Sequence, residues 1–412
     1  MAYFLDFIPG NTRQFLLLNL NDGSIEKKSI DTKSNLSLSA HSYYCFDLYR
    51  YYKFFGLNDQ QFVWDLQSLY GLKLERAESI EELFDKDSDK LFFDLKEKIN
   101  AQIKSYTFCN ISLKQYSLDQ IIPESLFNSF FREKINCITR LMQNNVIPKE
   151  CLNFYRKNIE EIKSIIKLSN NILFVDKKPT KLMFNIFGAK NSRMSLRKSL
   201  VNIYNLSKEK RACITPPEGF KLAQFDYKSF QPRLALSLFG DAAIRQQLKD
   251  NDDIYSLFEG NREDNKLELI SWMFSNRKNQ KFDIKLASLK DHRYKLYHEM
   301  KNNSILTVFE RPLFFSDEEE NVMFQNYICS TEADCIMSLI HHLQSAIKDT
   351  DSYLILPFYD CLIYCIKNDD YAIINEIKAH MENYLYKRFE MKFPVSIKVG
   401  NDLLNLENYN VL

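Results

Sequence analysis

An α+β fold is predicted for this 412-residue chain, and three patterns carry the prediction. Residues 124–170 place apolar side chains at helical spacing, as in Leu126, Phe130, Ile135, Ile138 and Leu141, and again in Tyr155, Ile159, Ile162 and Ile165. From about residue 180 onward, short apolar runs of strand length alternate with helical ones. Two of these runs end on aspartate. One closes with Phe225-Asp226; the other, Tyr353-Leu354-Ile355-Leu356-Pro357-Phe358-Tyr359, ends at Asp360 and is followed by Leu362-Ile363-Tyr364-Cys365-Ile366.

Taken in order, residues 1–30 read as two strands joined by Asn21-Asp22-Gly23, a hairpin signal. Residues 41–72 read as helix, a turn at Gly56-Leu57-Asn58-Asp59, strand and helix. Residues 80–120 are charged and read as mostly helical. The helical pattern of 124–170 is broken at Asn144-Asn145-Val146-Ile147-Pro148. Residues 264–300 and 331–347 read as helices. The stretch 353–400 reads as strand, turn, strand, helix, strand.

Composition excludes several classes. No apolar segment reaches 18 residues, so no membrane-spanning helix is expected. The opening Met1-Ala2-Tyr3-Phe4-Leu5-Asp6 lacks a basic region and a small-residue cleavage site, so secretion is not expected. Nine cysteines occur without a Cys-x-x-Cys pair, which argues against a zinc site and a disulfide framework and fits a reducing compartment such as the cytoplasm. No glycine-rich phosphate loop is present. The net charge of +1 hides an asymmetry. Residues 131–213 hold 18 Lys and Arg against 6 Asp and Glu, a balance of +12 that leaves −11 for the remainder. A basic segment beside an acidic region suits a chain that grips a phosphate backbone in one place and metal ions in another. Two carboxylates on the ends of buried strands are what two-metal phosphoryl transfer requires.

The order of motifs resembles a family A DNA polymerase, from about residue 121 to 405. Asp226-Tyr227 through Arg233 and Gly240-Asp241 resembles motif A, and Phe358-Tyr359-Asp360 resembles motif C. Asn191-Ser192-Arg193-Met194-Ser195, Asn202-Ile203 and Arg211 resemble the template-primer strip before motif A. Pro217-Glu218-Gly219-Phe220, Leu306 to Pro312, Thr331-Glu332-Ala333-Asp334 and Val395 to Gly400 resemble further landmarks in the same order. Two departures stand out. Cys361 follows Asp360 where the family has a second acid, and Gln231 stands where the family has the glutamate that rejects ribose. Arg262, Lys266, Ile270 and Phe274, which share one face of a helix, resemble the nucleotide-binding helix of the fingers. The N-terminal part resembles an eroded 3′–5′ exonuclease domain around Cys45-Phe46-Asp47-Leu48 and Phe62 to Leu66. Asp6 is its first carboxylate, but position 8, where a second acid is needed, is Ile8.

The resemblance implies a right-hand polymerase with an antiparallel palm sheet, a helical thumb, reduced fingers and an N-terminal degenerate ribonuclease H-like α/β domain. The implied boundaries are 1–120 for that domain and 121–412 for the polymerase, with thumb 121–180, palm 181–245 and 303–412, and fingers 246–302. It implies a DNA-directed DNA polymerase, for replication or repair, that adds dNTPs to a primer without proofreading. A reverse transcriptase or RNA polymerase on the same fold, or a non-catalytic nucleic-acid-binding relative, are the alternatives. Asp226 and Asp360, with the main-chain carbonyl of Tyr227, are the implied ligands of two Mg²⁺ ions, for which Mn²⁺ substitutes. Gln231, Arg262, Lys266, Ile270 and Phe274 are implied on the nucleotide, and Arg193, Asn202, Lys210, Arg211 and Tyr359 on the primer-template. A processivity or replication partner, and a bacterial, phage or plasmid setting, complete the expectation.

Overall fold

The structure, a computed structural model, describes residues 148–409 apart from 188, 190–192, 197–202, 250, 276, 303 and 315–317, together with five strands nearer the N-terminus. The chain divides into two compact units, 1–71 with 77–152, and 72–76 with 153–412.

In the first unit the strands are β1 (Ala2–Phe7), β2 (Gln14–Asn19), β3 (Ile25–Ser29), β4 (Ser42–Cys45) and β5 (Val63–Asp65). They form one mixed sheet of order β3-β2-β1-β4-β5. Pairing is antiparallel for β1–β2 and β2–β3, and parallel for β1–β4 and β4–β5. Two expectations are corrected. Residues 1–30 hold three strands rather than two, because β2 pairs with β1 as well as with β3. Residues 42–45 are a strand rather than a helix: Tyr43 and Tyr44 suit a pleated surface, and β1 offers them a parallel partner. Residues 80–120 lie outside those described.

The second unit begins within helix α1 (Lys149–Lys157) and continues through α2 (Ile159–Lys167). Tyr155, Ile162 and Ile165 are buried, as their spacing predicts, and Ile159 is half-buried. Short strands β6 (Leu173–Val175) and β7 (Lys178–Thr180) follow, then the paired β8 (Phe184–Asn185) and β9 (Ser195–Leu196). β10 (Ile214–Thr215) returns to β6.

β11 (Phe220–Tyr227) is the middle strand of the central sheet. After it come α3 (Phe230–Phe239), α4 (Ala242–Lys249), α5 (Arg262–Phe274), α6 (Gln280–Lys285) and α7 (Ala287–Asn302). The pair β12 (Ile305–Leu306) and β13 (Pro312–Leu313) leads into α8 (Glu320–Gln344), longer than the 331–347 read from sequence. Strands β14 (Tyr353–Phe358) and β15 (Cys361–Lys367), helix α9 (Ala372–Phe389), β16 (Val395–Gly400) and β17 (Leu406–Asn408) complete the unit.

The central sheet runs β14-β15-β11-β16-β17, every pair antiparallel. β15 is buried from Cys361 to Ile366, the continuous apolar run of a strand covered on both faces. α8 is the central helix and packs against α2, α3, α5, α7 and α9. It buries not only apolar residues but also Ser330, Thr331, Glu332 and Asp334. Buried acids survive only when paired. Asp334 accepts from Arg311 Nε at 2.6 Å and from Thr307 Oγ1 at 2.9 Å, and the Arg311 guanidinium lies over the rings of Phe154 and Phe187. Arg233, fully buried, donates to the carbonyls of Lys392 and Asn251, each at 2.9 Å. It braces the sheet's flank, and burial lowers its guanidinium to about 10.

Candidate active site

The aspartates of the two apolar runs meet at one end of the central sheet. Asp226 is the penultimate residue of β11, and its register partner on β15 is Cys361, the residue after Asp360. Tyr227 donates its backbone N–H to the carbonyl of Asp360 at 3.4 Å, and Ser396 Oγ donates to the carbonyl of Asp226 at 3.2 Å. Three adjacent strands thus hold the pair. Both chain reversals are tight. Tyr359, which with Asp360 joins β14 to β15, has φ of 58°, and Ser229, between β11 and α3, has φ of 57°. Such left-handed backbone is costly for a residue with a Cβ and gathers at functional turns.

The surroundings of both carboxyls disfavour their charge. Burial, then the charge of Asp360, pushes the Asp226 carboxyl up to about 6, while Lys398 and Lys266 pull it back. Burial likewise raises the Asp360 carboxyl, opposed by its own backbone hydrogen bond and by Arg193. Two carboxylates held close in a partly desolvated place repel each other, and a hard dication relieves that repulsion. Cys361 adds no anion: burial, then its acidic neighbours Asp226 and Asp360, drives its thiol well above the ordinary value. Among the described residues no group of three or more His, Cys, Asp and Glu could hold a metal ion. The donor set fits Mg²⁺ nonetheless, since that ion keeps waters and takes few protein carboxylates alongside substrate phosphates. The Tyr227 side chain faces away from this chemistry: it is buried, stacks on Phe230 at 4.7 Å and donates from its hydroxyl to the Met381 carbonyl.

The remaining predicted residues divide into groups. Gln231, half-buried in the first turn of α3, donates from Nε2 to Glu332 Oε2 at 2.6 Å. Arg193, just before β9, donates to both oxygens of Glu332 at 3.2 Å and lies 4.9 Å from the centre of the Tyr359 ring. Tyr359 is 39% exposed and packs on Tyr204, whose hydroxyl donates to the Pro357 carbonyl at 2.6 Å. The Arg211 guanidinium lies over Phe358 at 5.2 Å, and Lys210 is exposed. Asn202 lies outside the described residues.

On α5, Arg262, Lys266 and Ile270 are exposed on the shared face, while Phe274 is half-buried against Phe324. Lys266 acts on Asp226 through its charge. Arg262 is instead engaged inside the protein, with Asp253 at 2.7 Å, with Glu263, and over the Tyr255 ring. The structure thus gathers Asp226, Asp360, Gln231, Arg193 and Tyr359, brings the charge of Lys266 to bear on Asp226, and leaves Arg262 tied to Asp253 and Glu263.

Sequence reasoning missed Glu332 as a site residue. It served only as a landmark in Thr331-Glu332-Ala333-Asp334. The available signal was an acid set within an apolar helix, which is rarely buried without a dedicated partner. Lys398, exposed on β16, was missed as well.

No family model matches the chain, and no curated protein sequence matches it. Among solved structures the chain is similar to the POL domain of Pol1 from M. smegmatis, in complex with DNA primer-template and dNTP. The TM-score is 0.58 at 12% identity, over 97% of this chain and 95% of that one. No helix among the described residues is long and apolar enough to cross a membrane. At such low identity the likeness is one of architecture: the chain shares the fold of that POL domain.

Proposed function

We propose that this chain is a DNA-directed DNA polymerase that adds dNTPs to a primer 3′-hydroxyl by two-metal phosphoryl transfer, without proofreading. The observation that carries the reading is the meeting of Asp226, on β11, with Asp360, in the turn that opens the adjoining β15, both carboxyls raised by burial and that of Asp226 further by the charge of Asp360, inside a polymerase fold. Asp226 and Asp360, with the Tyr227 carbonyl, would hold two Mg²⁺ or Mn²⁺ ions, which supply Lewis-acid stabilisation of the primer oxygen and the departing pyrophosphate.

The chain's own residues do the rest. β11 and the Tyr359-Asp360 turn fix the carboxylates before substrate arrives, so no reorganisation is spent at the reacting centre. Lys266, on the exposed face of α5, offers a point charge to the triphosphate. Tyr359 and Arg193 present an aromatic face and a positioned donor to the primer end. Lys210 and Arg211 take backbone phosphates. Thumb, palm and fingers are assigned to 121–180, to 181–245 with 303–412, and to 246–302. The absence of proofreading rests on Ile8, where a second acid is needed beside Asp6. Position 8 and Asp47 lie outside the described residues. Short fingers point to a partner that clamps the protein on DNA.

Primer extension on DNA and RNA templates, with dNTPs and rNTPs, tests the reading. Asp226→Ala and Asp360→Ala should each abolish extension while primer-template binding persists, and the double variant should be no worse than either single. Extension by either single variant above about 1% of the parent rate would overturn the assignment.

A further inference from the structure

Glu332 is 1% exposed in its side chain, in the middle of α8. A carboxylate in that place needs compensation, and Arg193 supplies charge through two donations at 3.2 Å. Arg193 alone would answer the charge. Yet the shortest contact of Glu332 is with Gln231, at 2.6 Å from Nε2 to Oε2. That bond joins the first turn of α3, beside the aspartate pair, to the long central helix α8. We propose that Glu332 is a positioning residue for sugar selection: it clamps the Gln231 amide, so that discrimination between deoxyribo- and ribonucleotides belongs to the Gln231–Glu332 pair and not to position 231 alone. This deepens the polymerase reading above and rests on it.

The chemistry of the two groups explains why the pair matters. An ionised carboxylate accepts hydrogen bonds and donates none, so only the NH₂ end of Gln231 can face Glu332. The amide therefore cannot flip, and its carbonyl end is the one left for the nucleotide. A glutamine side chain has three rotatable bonds and, unanchored, yields to a ribose 2′-hydroxyl by turning aside. Rejection by a clash needs a group that stays in place. A charge-assisted hydrogen bond to a buried, immobile partner supplies that stiffness. Arg193 is held by the same carboxylate and stacks on Tyr359, next to Asp360. The gate is thereby tied to the primer side of the site. A glutamate at 231 would set two acceptors 2.6 Å apart, so the amide at 231 and the acid at 332 go together.

Single-nucleotide insertion by the full chain tests this, with kcat and KM measured separately for a dNTP and its matching rNTP. Glu332→Ala should lower the dNTP-to-rNTP ratio of kcat/KM by roughly 10- to 100-fold, the scale of one hydrogen bond to a charged group. In a Gln231→Ala background the same change should leave the ratio where Gln231→Ala put it, because the two residues act as a unit. Gln231→Glu should lower the ratio, and Gln231→Glu with Glu332→Gln should restore most of it, since one acid and one amide again face each other. Should Glu332→Ala fail to fold, that exchange pair decides the matter by itself. An unchanged ratio in Glu332→Ala, an equal loss of ratio in both backgrounds, or an exchange variant no more selective than Gln231→Glu would overturn the proposal while the polymerase reading stands. A parent protein that inserts no nucleotide at all would overturn both.

Discussion

Asp226→Asn should make the metal-free protein more stable at neutral pH while removing its activity. The folded protein raises the Asp226 carboxyl from its ordinary 3.8 to about 6, first by burial and second by the charge of Asp360. A carboxyl raised on folding costs stability when ionised. The cost is absent below the unfolded value, grows as pH rises between the two values, and is full above the folded value. A rise of about two units corresponds to ~3 kcal/mol at most, and partial exposure of the carboxyl brings this to on the order of 1–2 kcal/mol. Asparagine keeps the shape and carries no charge, so the cost disappears. For a unit of this size that is a rise in Tm of roughly 3–6 °C at pH 7.5. The gain should fall to about half by pH 5, where the parent carboxyl has largely taken up its proton. Calorimetry with a chelator present, at the two pH values, measures it. Added Mg²⁺ should then raise the Tm of the parent more than that of the variant, by mass action on the intact site. An asparagine variant that melts at or below the parent at pH 7.5, or a gap that ignores pH, would refute the view that the two aspartates form a repelling pair awaiting a cation.

Three further outcomes are expected. Lys266→Ala should raise the KM for dNTP or lower kcat by roughly 10²-fold, the loss of one preorganised charge, and single-turnover insertion separates the two; an unaffected variant would remove α5 from the nucleotide site. Asp334→Ala should destabilise the fold by about 3–5 kcal/mol, because it strands the buried Arg311, whereas a paired Arg311→Met and Asp334→Leu exchange should cost less than either single change in urea melts. A labelled, mismatched primer incubated with Mg²⁺ should not shorten; shortening that disappears in Asp47→Ala would show a working nuclease.

What was legible in the sequence, and what was not, follows from the range of the forces involved. The strands carrying Asp226 and Asp360 announced themselves, since apolar runs broken by an acid at a chain reversal are local patterns. The strand-turn-strand-helix-strand order of 353–400 was readable for the same reason. The strand at 42–45 was misread as helix because its preference is weak, and its parallel partner β1 lies far away in the chain. Only the tertiary structure brought Asp226 beside the turn that holds Asp360, since that register depends on β11 pairing with β15 across the whole of the intervening helical region. It alone turned Glu332 from a landmark into a partner of Gln231 and Arg193, residues separated from it by 101 and 139 positions. It alone tied Arg262 to Asp253 while leaving Lys266 exposed on the same helix face. Backbone preference and hydrophobic period act over a few residues and are written along the chain. The pairing of a buried charge depends on which partners the completed fold brings within about 3 Å, and no local stretch of sequence contains that distance.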